Sequence, residues 1–314
     1  MKRITGIPPS FGAMLLLCAL ASTTGAQQTG FRADRYEEPV DTAVTLDRPG
    51  TVSLSIFSGR VDVRGGSGSQ VRVRGSTERG GLSFDASASS VRISVEPDGR
   101  SRGGAELSIT VPTGTRVVIE GQSASASVLG VKGEVAVETV SGSVQVEDAV
   151  GKVKAETVSG GVLISRVVGD VIAEAVSGRV EITNVTGDID GESVSGRITI
   201  TGAKSKLVRA ESVNGRLAYS GTIEPTGTYK FTSHSGTLTL ALPSDVGATF
   251  SLETFSGNVD SDFPVTLQSG SNARHHDNRF DFKIGNGRAR IFAETFSGDI
   301  RIQRGTSRDN EEQE

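Results

Sequence analysis

The 314-residue chain has one cysteine, two methionines and no tryptophan, and aromatic residues make up only 5% of it. Cys18, Met1 and Met14 all sit near the N-terminus. From residue 19 onward no disulfide can form within the chain, and no thiolate is present to ligate a metal. Long apolar runs are also missing, so no segment after the N-terminal one is long enough to cross a bilayer as a helix. Basic charge is in deficit: 33 Lys and Arg stand against 37 Asp and Glu, a net charge of −4. That balance argues against a nucleic-acid-binding surface. With 40 glycines and few aromatics, the composition is not that of a compact α/β enzyme. It fits a long, thin core of small and β-branched side chains.

What is present begins with an address. Lys2 and Arg3 give a basic start, Ala13 to Ala21 is a short apolar run, and Thr24-Gly25-Ala26 is a small-residue cleavage site. Residues 1–26 therefore read as a signal peptide, leaving a mature chain from Gln27. Leu17, where lipoprotein processing at Cys18 would want a small residue, argues against a lipid anchor. Without Lys2 and Arg3 the balance is 31 basic to 37 acidic residues, or −6. The expected location is outside the cytoplasm, in the periplasm or at the cell surface or beyond it.

The stretch from Gly133 to Gly215 repeats. Ser141-Gly142, Ser159-Gly160, Ser177-Gly178 and Ser195-Gly196 recur at one constant interval, a period of about 18 residues. Asn214-Gly215 follows a single position late. A second break in each unit is a glycine before a charge: Gly133-Glu134, Gly151-Lys152, Gly169-Asp170 and Gly187-Asp188. Between the breaks Val and Ile alternate with period two, which means strand. Each unit is two short strands and two turns, one coil of a stacked repeat architecture. The inward ladders are expected at Val135, Val153, Val171 and Ile189; at Val140, Val158, Val176 and Val194; at Val144, Val162, Val180 and Ile198; and at Val146, Ile164, Ile182 and Ile200. Val137 is matched by the small Ala155, Ala173 and Gly191. Coils are expected roughly 4.8 Å apart.

The expected organisation is a signal peptide over 1–26, a flexible leader over 27–44, an N-terminal β region over 45–130 serving as cap or early coils, β-solenoid repeats over 131–303, and a disordered acidic tail over 304–314. Ser235-Gly236, Ser256-Gly257 and Ser297-Gly298 continue the turn at gaps of 21, 21 and 41. Phe255 and Phe296 replace valine there, which suggests coils that widen towards the C-terminus around larger fillers. The last gap holds an irregular loop, Gln268 to Arg279. The fold class is all-β: a single-stranded, right-handed parallel β-solenoid or β-helix with coils of about 18 residues and a less regular N-terminal β region.

The turns Ile56-Phe57-Ser58-Gly59-Arg60-Val61 and Thr295-Phe296-Ser297-Gly298-Asp299-Ile300, together with Leu238 to Val259 (LTLALPSDVGATFSLETFSGNV), resemble the DUF4097 family of bacterial candidate adhesins. The resemblance covers most of residues 45–303. It implies an exported β-solenoid with no established enzyme activity, and it brings no catalytic motif and no functional residue.

Among candidate chemistries the sharpest is a column of carboxylates. Glu138, Glu156, Glu174, Glu192 and Glu211 each stand three residues before the turn Ser or Asn, and Glu253 and Glu294 repeat the pattern. By alternation they point outward. Carboxylates about 5 Å apart repel by on the order of 1 kcal/mol per neighbouring pair in water. Either the ladder holds divalent cations such as Ca²⁺, or it is a solvated edge balanced by Arg179, Arg197 and Arg216. The absence of the nonapeptide Ca²⁺ signature favours the solvated edge. The repeated serines lie in no GxSxG and read as a structural ladder. His234 beside Ser235 has no third partner, and the pair His275-His276 reads as solvated loop. Rows of Glu, Lys, Arg, Thr and Ser offer no acid–base cluster for sugar cleavage. A Thr139, Thr157, Ala175, Ser193 column is broken as an ice-binding face by Ala175.

The expectation is a non-enzymatic, exported cell-envelope module, adhesin-like or structural, that presents repeated polar ladders. No cofactor and no catalytic residue are expected. Its partner would be an envelope glycan, an envelope protein or another copy of itself, and not a nucleic acid. The alternatives are a carbohydrate-active enzyme on a β-helix scaffold, and an envelope-stress sensor or regulatory partner.

Overall fold

A computed structural model of the chain describes residues 37–46, 50–78, 82–95, 104–264, 266–267 and 278–305. The expected signal peptide, His275, His276 and residues 306–314 of the tail lie outside the described residues. The described residues contain strands and turns and no helix.

The N-terminal part has seven strands: β1 (Glu37–Thr45), β2 (Thr51–Gly66), β3 (Gln70–Glu78), β4 (Leu82–Ala86), β5 (Ser90–Val95), β6 (Gly104–Pro112) and β7 (Arg116–Leu129). Long β2 runs parallel to β7 on one side and to β5 and then β6 on the other. An early strand is thus held between two later ones. β4 caps β5, while β3 and then β1 add antiparallel beyond β6. Residues 37–44 were expected within a flexible leader but belong to strand β1. Its Val40 and Val44 alternate onto the core. Asp41 accepts two hydrogen bonds from Arg72, at 3.0 and 3.2 Å, across the pair.

From β7 the stack proceeds coil by coil. The coils are β8 (Val135–Ser141) with β9 (Val144–Glu147), β10 (Val153–Ser159) with β11 (Val162–Val168), and β12 (Val171–Ser177) with β13 (Val180–Thr186). Next come β14 (Ile189–Ser195) with β15 (Ile198–Ala203), β16 (Leu207–Asn214) with β17 (Leu217–Gly221), and β18 (Thr228–Ser235) with β19 (Leu238–Leu242). The coils pair in parallel, and like residues stack: Val153 on Val171, Glu156 on Glu174, Ser159 on Ser177. Both turns of a coil suit their residues. Gly178 sits so close to the coil below that a Cβ on it would lie 1.6 Å from the Gly160 carbonyl oxygen. At the other corner Gly130, Asp148, Arg166, Asn184 and Gly202 recur once per coil with φ between 53° and 67°. Gly, Asn and Asp tolerate this left-handed conformation. Arg166 is anchored by ion pairs to Asp148 and Glu147 at 2.6 and 2.8 Å.

One expected ladder faces the other way. Val135, Val144 and Val146 and their equivalents are buried, but Val140, Val158, Val176 and Val194 are 45–51% exposed. Glu138 and Val140 share a parity, so an outward glutamate carries the valine outward with it, and Thr139 takes the inward place.

The C-terminal strands are β20 (Ala248–Ser256), β21 (Val259–Ser261), β22 (Thr266–Leu267), β23 (Asn278–Ile284), β24 (Ala289–Ser297) and β25 (Ile300–Arg304). The long final gap is not a wider coil. β20 and β21 leave one rung vacant, β23 turns back antiparallel on β20, and β24 with β25 then fill the rung beside β18 and β19. β22 lies on β23. The larger fillers at this end are Tyr219, Tyr229, Phe231 and Phe250, all fully buried, whereas Phe255 and Phe296 are exposed. Tyr229 keeps its hydroxyl satisfied by donating to the Ser205 carbonyl at 2.7 Å.

Candidate functional site: a groove between a carboxylate row and an apolar row

In the coils from β8 to β16 the outward side chains before the turn are a glutamate and, two residues on, a valine. Register stacks them into two rows with a groove between, about 690 Å³ in volume, running from Glu138 and Val140 to Glu294 and Phe296. It spans seven rungs, from β8 to β24, about 29 Å at strand spacing.

At three rungs the inward residue between the rows is a threonine that ties its turn to a neighbouring coil. The Thr139 hydroxyl donates to the Ala124 carbonyl at 3.0 Å, Thr157 to Gly142 at 3.3 Å and Thr254 to Gly298 at 3.2 Å. Ala175 has no hydroxyl. Ser193, Ser212 and Ser233 occupy the same row, buried, with hydroxyls that have no partner among the described residues. Where it carries Thr139, Thr157 and Thr254, this row clasps one coil to another.

Glu138, Glu156, Glu174, Glu192 and Glu211 form one unbroken column. Glu120, which sequence reading passed over, extends it at one end by pairing with Glu138. It stands one period earlier in the chain, so the repeat held the signal. At the other end Thr232 follows Glu211, then Glu294 and then Glu253, in the reverse of their chain order. Among the described residues no group of three or more His, Cys, Asp or Glu side chains is placed to hold a metal ion.

The counter-charges differ from those expected. Lys154 meets Glu156 at 2.6 Å; Arg209 reaches Glu211, Glu192 and Asp190 at 3.0, 3.5 and 3.7 Å; Lys230 lies 3.6 Å from Glu211. Lys154 and Arg209 sit two positions before Glu156 and Glu211 on the same strand face, and Lys230 holds the equivalent place before Thr232. Arg179, Arg197 and Arg216 lie beyond the turn and do not pair with the column. The arrangement divides the row. The hydrogen bond from Arg209 holds Glu211 below the usual carboxylate range. Burial, reinforced by the charges of Glu156 and Glu192, pushes Glu174 above it.

The apolar row continues past Val194 through Val213 to His234, Phe296 and Phe255. His234 stacks on Phe296 with ring centroids 5.0 Å apart, and Phe296 on Phe255 at 4.8 Å. The histidine is therefore part of the row. Chemically the site offers repeated carboxylates and apolar contacts at fixed spacing.

The fold is a parallel β-solenoid with out-of-order coils at both ends. The chain belongs to the Toastrack DUF4097 family, whose profile matches residues 61–303. No curated protein matches the sequence. Among solved structures it is similar to a candidate cell-adhesion protein of Clostridium sporogenes, at 12% identity over 85% of this chain and 100% of that one, with a TM-score of 0.22. It is also similar to a candidate adhesin of Bacteroides fragilis, at 10% identity over 84% and 97% of the two chains, with a TM-score of 0.36.

Proposed function

We propose that this protein is a non-enzymatic, adhesin-like binding module of the cell envelope, exported by residues 1–26, with the groove as its contact face. One observation carries the reading: an exposed apolar row, Val140 to Phe255, runs in register beside a carboxylate row. A contiguous apolar strip left open to water marks an interaction site. Repetition at fixed spacing makes each contact weak and the sum strong, as multivalent attachment requires. The partner classes this face suits are an envelope protein, an envelope glycan or a second copy.

Two measurements test the reading. Exported protein should begin at Gln27 by mass. Residues 27–314 should bind purified envelope protein or glycan fractions, and Val176→Asp with Val194→Asp should abolish that binding without lowering the melting temperature. Equal binding by the double variant would show that the groove is not the contact face.

A further inference from the structure

The carboxylate row is unevenly neutralised. Arg209 and Lys230 close on Glu211, and Arg209 also reaches Glu192 at 3.5 Å. Lys154 engages Glu156 through Oε1. Glu138 and Glu174 pair with no cation among the described residues. No Lys or Arg side chain lines the groove itself. Glu174, at the middle of this stretch, is partly buried between two like charges, Glu156 and Glu192. From Glu138 to Glu192 four carboxylates therefore stand short of positive charge on successive rungs, about 14 Å end to end. Beside them Val140, Val158, Val176 and Val194 stand half-exposed. Charge and surface together suit a cation with an apolar stem, which lays its methylenes on the valines and its head on the acids.

Shape narrows the choice. The two rows come from residues two apart on a strand, so they stand roughly 6.4–6.8 Å apart. An α-helix is about 10–12 Å across with its side chains and stays above such a gap. An extended peptide projects side chains to both faces, and its same-face groups recur every ~6.4–6.8 Å, out of step with rungs about 4.8 Å apart. A bare alkyl chain is only about 4 Å thick and settles lengthwise between the rows. Its charges can also keep step. Four bonds of about 1.5 Å, in zigzag, set the two nitrogens of an aminopropyl unit about 5 Å apart. A tetraamine of three such units spans about 15 Å, close to the length of the four-glutamate stretch.

We infer that the groove binds a linear aliphatic polyamine lengthwise, one ammonium at each of Glu138, Glu156, Glu174 and Glu192, with the methylenes against the valine row. Each contact between partly exposed charges is weak. Four of them on one chain act together. A metal ion has no stem for the valines, and no three acids are placed to hold one among the described residues. The site lies in the same groove as the reading above but does not rest on it, since a small ligand needs no envelope partner.

The test is titration calorimetry of residues 27–314 at fixed ionic strength with four probes. These are a tetraamine with aminopropyl spacers, a tetraamine with hexamethylene spacers, an alternating Lys-Ser peptide with four lysines, and Ca²⁺. The aminopropyl tetraamine should bind at least about tenfold more tightly than each of the others, because only it meets every rung at once. Glu156→Gln with Glu174→Gln should weaken it at least about tenfold, and Val176→Ser with Val194→Ser about threefold. Glu181→Gln, on the strand row beyond the turn, should leave its affinity unchanged. Each variant is first checked for natural circular dichroism and melting. No binding of the aminopropyl tetraamine overturns the inference. Equal binding of Ca²⁺ or of the long-spaced tetraamine also overturns it, since that is charge screening without a site. A tighter peptide overturns it in favour of a basic polypeptide. If the tetraamine fails while Val176→Asp with Val194→Asp still abolishes envelope binding, the polyamine site falls and the adhesin-like reading stands.

Discussion

From β8 to β17 the order of coils in the stack is the order of the chain, whereas at both ends it is not. In the middle each strand pairs with its equivalent one coil further along the chain. At the N-terminal end β2 lies between β7 and the β5–β6 pair, and at the C-terminal end β24 and β25 lie between β18–β19 and β20–β21. The contrast shows two solutions to one problem. A stack that simply stopped would present an edge of unpaired backbone donors and acceptors. Here the last strands of the chain, β24 and β25, are interior rungs; β20 and β21 pair parallel outside them, and β23 then adds antiparallel on β20. The regular middle supplies a ruler of side chains; the interleaved ends close it. The groove draws on both, since its last rung, Glu294 and Phe296, belongs to the inserted strand.

The comparison can be broken most severely in the middle. Gly178→Ala puts a Cβ where the Gly160 carbonyl stands, and backbone there has no room to yield. It should cost at least about 3 kcal/mol in denaturant unfolding. Next is Ile291→Ala on the inserted strand, where the side chain is fully buried. The cost should be about 2–5 kcal/mol. Hydrogen exchange should quicken in β18 and β20, the two neighbours of β24, and leave β8 to β13 protected. Smaller is the Arg166 corner, where φ is 54°. Arg166→Ala should be less stable than Arg166→Gly by about 1 kcal/mol, because both lose the ion pairs and only glycine relieves the backbone.

Smallest is the electrostatic contrast within the carboxylate row. Glu174 is raised, so the folded chain binds its proton more tightly than the unfolded one. Its charge costs stability at neutral pH, and the cost disappears as pH falls through its raised value into the ordinary carboxylate range. Glu211 is lowered by Arg209, so it adds stability above the ordinary range and loses it as pH falls through its folded value. Glu174→Gln should therefore raise the melting temperature at pH 7 and Glu211→Gln should lower it. Each shift should correspond to about 0.5 kcal/mol or less, because both side chains are only partly buried and water still screens their charges.

The middle was the legible part. Ser-Gly at a fixed period yields the coil, its two turns and the outward Glu column, because strand parity and period are both visible in residue identity. Val140 and its equivalents misled for a physical reason. Their apolar character suggests the interior, but parity with Glu138 and the Thr139 clasp on the Ala124 carbonyl decide the direction. Arg209 and Lys230 were invisible as counter-ions because they break the repeat, while Arg179, Arg197 and Arg216 obey it and drew the eye. The interleaving left no trace at all. Most coil ends carry a Phe- or Val-Ser-Gly turn, with Val213-Asn214-Gly215 and His234-Ser235-Gly236 as variants, so nothing local states which copy stacks on which.

That interleaving can be tested by cross-linking, since residues 27–314 contain no cysteine. Three double variants are compared: Thr232→Cys with Glu294→Cys, Glu253→Cys with Glu294→Cys, and Thr232→Cys with Glu253→Cys. The first two pairs are neighbours across adjacent rungs, while the third is two rungs apart, about 9.6 Å and beyond disulfide reach. Oxidation should bridge the first two and leave the third as free thiols. A bridge between positions 232 and 253, with none between 232 and 294, would mean that the coils stack in chain order and that the inserted rung does not exist.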